Sequence, residues 1–191
     1  MARKHNLPLT GVNSDGASVT VGEVGLGHLT QLAGWGTFTD ATGKALQAHS
    51  LSLPSDYRTP ARNGTTTVWR IAPDRVLVRS STPLGMQGTD ELVTLDLSDA
   101  RTCMTVAGDG AAGLLSRVIA LDFSEKAFPT GTFVQTSLHH VGVLIERQDR
   151  DRFLVLLPTT WARSLTDLVV THLSIAAGHQ VEPVAGSRSA P

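Results

Sequence analysis

Asp96-Leu97-Ser98-Asp99-Ala100-Arg101-Thr102-Cys103-Met104-Thr105-Val106-Ala107-Gly108-Asp109-Gly110-Ala111-Ala112-Gly113-Leu114-Leu115 reads as turn, strand, tight glycine turn and helix. Residues 101–106 are a short run rich in β-branched and apolar side chains. Gly108 and Gly110 allow a sharp turn, because glycine carries no Cβ to clash at positive φ. Ala111, Leu114, Leu115 and Val118 then recur at helical spacing.

Working outward, two fragments return later in the chain. Ala33-Gly34-Trp35-Gly36 reappears as Ala107-Gly108-Asp109-Gly110, and Asp74-Arg75-Val76-Leu77-Val78 as Asp151-Arg152-Phe153-Leu154-Val155. Their shared order and near-equal offsets, 107 − 33 = 74 and 151 − 74 = 77, point to a duplicated unit. Each copy would hold a strand, a helix and an antiparallel strand pair. Periodicity predicts strands near 28–38, 65–71, 74–80, 92–97, 101–107, 132–138, 141–147 and 151–157, with helices near 40–48 and 109–119. Phe153 to Leu157 is apolar throughout, which predicts a central strand buried on both faces. Pro158 ends it, and Thr159 or Thr160 is expected to cap a closing helix with Trp161, Leu165, Leu168, Val169 and Leu173 as its apolar stripe. The short, turn-rich Ser80–Gln87 segment implies that the matching helix of the first copy is reduced to a turn or so. The expected organisation is a flexible segment 1–18, a first unit 19–97, a second unit 98–178 and a flexible tail 179–191.

Composition excludes several function classes. A net charge of −1 over 191 residues offers no electrostatic basis for binding nucleic acid or an anionic membrane. No apolar run approaches the ~20 residues needed to cross a bilayer. Arg3 and Lys4 near the amino end are followed by no apolar stretch, so a cytoplasmic location is expected. One cysteine, Cys103, excludes an internal disulfide and a Cys-based metal cluster, and it is expected to be buried on its strand. Charged residues make up 17%, below the ~25% usual for soluble domains, which predicts an apolar surface free for a partner. Trp35, in a glycine-flanked turn, and Trp69, on a strand, are the candidates for that surface. A core position suits Trp69 equally well.

Few residues offer chemistry. Gly22, Gly25 and Gly27 have the spacing G-x-x-G-x-G with no helix after them, which disfavours a phosphate loop and suits a flexible approach to the first strand. No nucleophile elbow places a serine beside a histidine. His139-His140 sits between two β runs and is expected to form a tight hairpin with both rings in solvent. His5 and His179 fall in the ends, His28 and His49 flank predicted elements, and His172 closes the last helix. Asp96, Asp99 and Arg101 form either an anion or partner site, or a turn in which Asp99 or Ser98 caps amides and Arg101 ties down a carboxylate where the halves join.

The patterns D-L-S-D-x-R-T…V-x-G-x-G-A…L-L, from Asp96 to Leu115, and L-D-F…A-F-P-x-G, from Leu121 to Gly131, resemble the gamma subunit family of heterotetrameric sarcosine oxidase. That family is related to the glycine-cleavage aminomethyltransferase, or T-protein. The resemblance implies an α+β fold of two duplicated βα units like the T-protein folate-binding domains. It implies a non-catalytic chain working with alpha, beta and delta subunits. The complex demethylates sarcosine to glycine, giving formaldehyde or methylenetetrahydrofolate and hydrogen peroxide. Alpha would hold NAD and the tetrahydrofolate site, FAD and covalent FMN would serve the beta side, and delta would hold zinc. No cofactor, metal or catalytic residue is then expected here. The aminomethyltransferase run G-G-I-x-D-D, whose carboxylate sits at the folate site, aligns with Val141-Gly142-Val143-Leu144-Ile145-Glu146. Ile145 has lost one carboxylate, and Glu146 keeps the other on a longer arm. Three alternatives stand beside this reading: a folate-binding aminomethyl-transfer protein, a subunit of a related N-methyl amino acid dehydrogenase, and an unrelated interaction module.

Overall fold

A computed structural model describes residues 7–174. In chain order the elements are β1 (Leu9–Val12), β2 (Ser18–Val24), β3 (His28–Gly34), α1 (Phe38–Gln47), β4 (Ala61–Asn63), β5 (Thr66–Ala72), β6 (Arg75–Ser80) and β7 (Leu92–Asp96). There follow β8 (Arg101–Ala107), α2 (Ala111–Val118), β9 (Phe133–Leu138), β10 (Val141–Asp149), β11 (Arg152–Pro158) and α3 (Thr159–Val170). They build two antiparallel sheets, one ordered β1-β2-β8-β11-β10-β9 and the other β4-β5-β6-β3-β7. β11, the all-apolar run, lies between β8 and β10 and is buried from Phe153 to Leu157, as its composition predicts.

Strand alternation sorts the apolar residues into three layers of core. Leu29, Trp69 and Leu77 of the smaller sheet meet Cys103, Phe133, Leu144, Leu154 and Leu156 of the larger one, so the sheets pack face to face. The opposite face of the larger sheet carries Met104, Val106 and Val155 against Leu114, Leu115, Leu165 and Val169 of α2 and α3. The opposite face of the smaller sheet carries Leu32, Val68 and Val76 against Phe38 and Leu46 of α1. The result is a helix, sheet, sheet, helix sandwich of the α+β class.

The duplication is visible in the backbone. Ala33 pairs with Arg75 on β3 and β6, as Ala107 pairs with Arg152 on β8 and β11. The Gly34 amide donates to the Asp74 carbonyl at 3.2 Å, and the Gly108 amide to the Asp151 carbonyl at 2.9 Å. Each hairpin carries an irregularity at the same place, between Arg70 and Ala72 and between Arg147 and Asp149.

The structure departs from sequence expectation in several places. Residues 1–6, with His5, and the tail 179–191, with His179, lie outside the described residues. The rest of the segment expected to be flexible is ordered. β1 pairs with β2, Leu9 packs against the helix-side core, and buried Asn13 accepts the amides of Asp15 and Ala17 at 2.9 and 3.0 Å. The boundary at 97/98 does not separate the sheets either, because β2 joins β8 in the larger sheet while β7 joins β3 in the smaller. Glycines permit the first of these pairings. At Gly108, φ +114°, a Cβ would stand 2.5 Å from the Ser18 carbonyl oxygen, and at Gly110 one would stand 2.7 Å from that of Ala17.

Gly22 lies within β2 and Gly27 turns the chain into β3, so these glycines link two strands and form no phosphate loop. The strand expected over 28–38 stops at Gly34, where α1 takes over. Neither threonine caps α3: Pro158 holds that position without a side-chain cap, and the Thr159 amide donates to the Ala100 carbonyl instead. Trp161 is half-exposed, because it sits on the first turn of α3 and its side chain leans back past the end of β11. Among the described residues no helix lies between β6 and β7, and none is long and apolar enough to cross a membrane.

Candidate functional site

β10 carries the one carboxylate that the folate-site alignment retains, and alternation places Glu146 on the same inner face as Leu144. Glu146 is 1% exposed. Its Oε2 accepts the Trp69 indole Nε1–H at 2.7 Å, and its Oε1 is ion-paired with the Arg62 guanidinium. Trp69 and Glu146 are repeat equivalents, 146 − 69 = 77 residues apart, and they meet where the two sheets face each other. Both carboxylate oxygens are thus engaged by donors of the opposite sheet. The group fastens the two sheets to each other. Trp69, a candidate for exposed surface, is fully buried: its ring completes the inter-sheet core and its N–H donates to Glu146.

The neighbouring residue organises the L-D-F…A-F-P-x-G segment. Arg147 is 4% exposed and bonded on every side. Its Nη1 donates to the carbonyls of Phe123 and Phe128 at 3.0 and 2.8 Å, and its Nε and Nη2 donate to that of Arg150 at 3.0 and 2.6 Å. Its Nη2 also lies 3.0 Å from Glu125, and the guanidinium stacks 5.2 Å over the Phe153 ring. Phe123, Phe128 and Phe153 pack as an aromatic trio beneath it. Arg70 is its counterpart in the first copy, donating to the carbonyls of Pro54 and Pro73 and stacking over Tyr57. Both the motif and Arg147 therefore fix loop geometry. The 77-residue offset already in hand would have paired Arg70 with Arg147 and Trp69 with Glu146 from sequence.

Asp96, Asp99 and Arg101 do not form one cluster. Asp96 accepts the Ser98 hydroxyl at 2.5 Å and the Ser98 amide at 2.9 Å, and these bonds hold its carboxyl below the usual aspartate range. The Ser98 hydroxyl in turn accepts the Leu29 amide at 3.1 Å, tying the turn to the start of β3. Asp99 is exposed. Among the described residues Arg101 pairs with neither aspartate, contrary to the bridging role expected of it. The reason is alternation: Arg101 shares the inner face of β8 with Cys103, while Asp96 is drawn to the amide of its own turn. Trp35 is 70% exposed, as expected of a large ring in a glycine-flanked turn.

His139 and His140 occupy the two hairpin positions with φ 48° and 68°, both exposed, which is the left-handed geometry of a tight type I′ turn. Among the described residues no three His, Cys, Asp or Glu side chains converge as a metal site would require. Burial pushes the Cys103 thiol up to about 11. A thiol reagent at about pH 8 should therefore leave Cys103 unmodified in the native protein and titrate it after denaturation. Rapid labelling of the native protein would show that the inter-sheet core is open.

No protein-family model matches this sequence, and no curated protein sequence does. Solved structures do match. The fold aligns with a chain of heterotetrameric sarcosine oxidase from Corynebacterium sp. U-96, in complex with pyrrole 2-carboxylate, at TM-score 0.74 and 22% identity, covering 85% of this chain and 86% of that chain. It also aligns with glycine cleavage system aminomethyltransferase T from Bartonella henselae at TM-score 0.58 and 15% identity, covering 81% of this chain but only 46% of that chain. At these identities the likeness is one of fold: the two-sheet α+β sandwich is the one these two proteins share.

Proposed function

We propose that this chain is a non-catalytic, gamma-type subunit of a heterotetrameric complex of the sarcosine oxidase class, which oxidatively demethylates sarcosine to glycine. The observation that carries the reading is the end-to-end fold match with one chain of such a complex, nearly complete in both directions. The match with the aminomethyltransferase covers under half of that larger protein. The state of Glu146 fits a structural role: the carboxylate that would serve a folate is buried and bonded to Arg62 and Trp69. In this reading the cofactors FAD, FMN, NAD, zinc and tetrahydrofolate belong to the alpha, beta and delta partners, and the chain works beside them in the cytoplasm.

Exposed apolar side chains supply a surface for those partners. Trp35 stands out at the end of β3, and Val93 and Leu95 are half-exposed on β7, an edge strand of the smaller sheet. Natural proteins seldom leave such an edge bare without a partner for it.

Ligand binding by the chain alone separates this reading from its main competitor. Purified alone, the chain should retain neither FAD nor FMN and should not bind tetrahydrofolate in the micromolar range. Stoichiometric flavin in the purified chain would overturn the non-catalytic assignment. Micromolar folate binding would favour a free-standing aminomethyl-transfer protein.

A further inference from the structure

Away from the Glu146 clamp the two sheets part to leave a cleft of about 330 Å³. Its walls are apolar, from Ile71 and Leu77 on one sheet to Leu144 and Leu156 on the other. Gly142, exposed on β10 four residues before the clamp, about 13 Å along an extended strand, also lines it. A Cβ built at Gly142 meets no atom within 4 Å, so glycine leaves space here that any other residue would narrow.

Two polar side chains line this cleft without using their donors. Arg101 and Gln31 both face it, and among the described residues neither side chain has a hydrogen bond or ion pair. Gln135 is committed, donating its amide to the Ile71 carbonyl at 2.6 Å. Among the described residues Arg101 is the only charged one lining the cleft. A guanidinium half-withdrawn from water beside apolar walls favours an anion, and its planar fork matches the two oxygens of a carboxylate. The volume falls at the small end of the range for ligand sites.

We propose that this inter-sheet cleft binds a small organic monocarboxylate, with the carboxylate held by Arg101 and Gln31 and the apolar body lying over Gly142. This site is independent of the subunit reading, because it rests only on residues of this chain.

The test titrates the full chain with 3-phenylpropionate and, separately, with the neutral 3-phenylpropanamide, following backbone amide signals by NMR. The acid should bind with a dissociation constant on the order of 1 mM, the range for a ligand of so few atoms, and shift the amides around Arg101 and Gly142. The amide should bind about tenfold more weakly or worse, since it lacks the charge that the guanidinium recognises. Arg101→Gln should erase the difference between the two probes. Gly142→Val, a residue suited to an extended strand, should abolish binding of both while leaving the spectrum of a folded protein. Equal affinity for acid and amide would overturn the proposal. So would acid binding that Arg101→Gln leaves at full strength or that survives Gly142→Val in a folded variant, or no saturable binding in the millimolar range.

Discussion

Replacing Arg147 by alanine is expected to lower stability by about 3–5 kcal/mol. The variant leaves the carbonyls of Phe123, Phe128 and Arg150 without their donor and opens a void above Phe153. Each buried carbonyl left unpaired costs about 1–3 kcal/mol, and the void adds to that. For a chain of this length the midpoint of thermal unfolding should fall by roughly 10 °C. Lysine should restore little, because an ammonium cannot reach three carbonyls from one plane. Glu125→Ala should leave the midpoint nearly unchanged, since that carboxylate is exposed and its ion pair is screened by water. An Arg147→Ala protein within a few degrees of the parent would mean that the 123–128 loop is held by its phenylalanines alone.

The second large effect is expected at Glu146. Glu146→Ala removes the acceptor of the buried Trp69 indole and the counter-charge of Arg62. Breaking a buried pair from one side costs ~3–5 kcal/mol. Arg62 is 40% exposed and regains water, so the lower end, about 3 kcal/mol, is expected. Denaturant unfolding of Glu146→Ala, Trp69→Phe and the double variant measures the coupling directly. The double variant should be less destabilised than the sum of the singles, because each single leaves the other partner unpaired. Additive losses would mean that the bond between Trp69 and Glu146 contributes nothing across the sheets.

Much of this architecture is legible in the sequence. The run from Asp96 to Leu115 announces turn, strand, glycine turn and helix, and β8, Gly108 and α2 follow in that order. The recurrence of Asp74-Arg75 as Asp151-Arg152 announces a duplication, and the two hairpins match down to their irregularities. What the sequence hides depends on distant contacts. β1 and β2 contain glycines and threonines that weaken the periodic signal, and it is the pairing of β2 with β8, and of β1 with β2, that joins them to the larger sheet. Trp69 looks equally suited to surface and core until the partner 77 residues away supplies an acceptor for its N–H. Arg101 lies close in sequence to two carboxylates, yet strand alternation turns its side chain into the space between the sheets. Trp161 has the spacing of a core residue but sits a turn too early to reach the sheet.

Assembly is the most direct test of a subunit role. The chain should be co-expressed with alpha-, beta- and delta-type chains of a sarcosine oxidase complex and analysed by size-exclusion chromatography with light scattering and absorbance. The expected result is one species holding this chain in stoichiometric amount with flavin-bearing partners, and loss of this chain from it when Trp35, Val93 and Leu95 are all replaced by charged residues. A chain that elutes alone as a soluble monomer beside a complete, active complex of the other subunits would contradict the subunit reading.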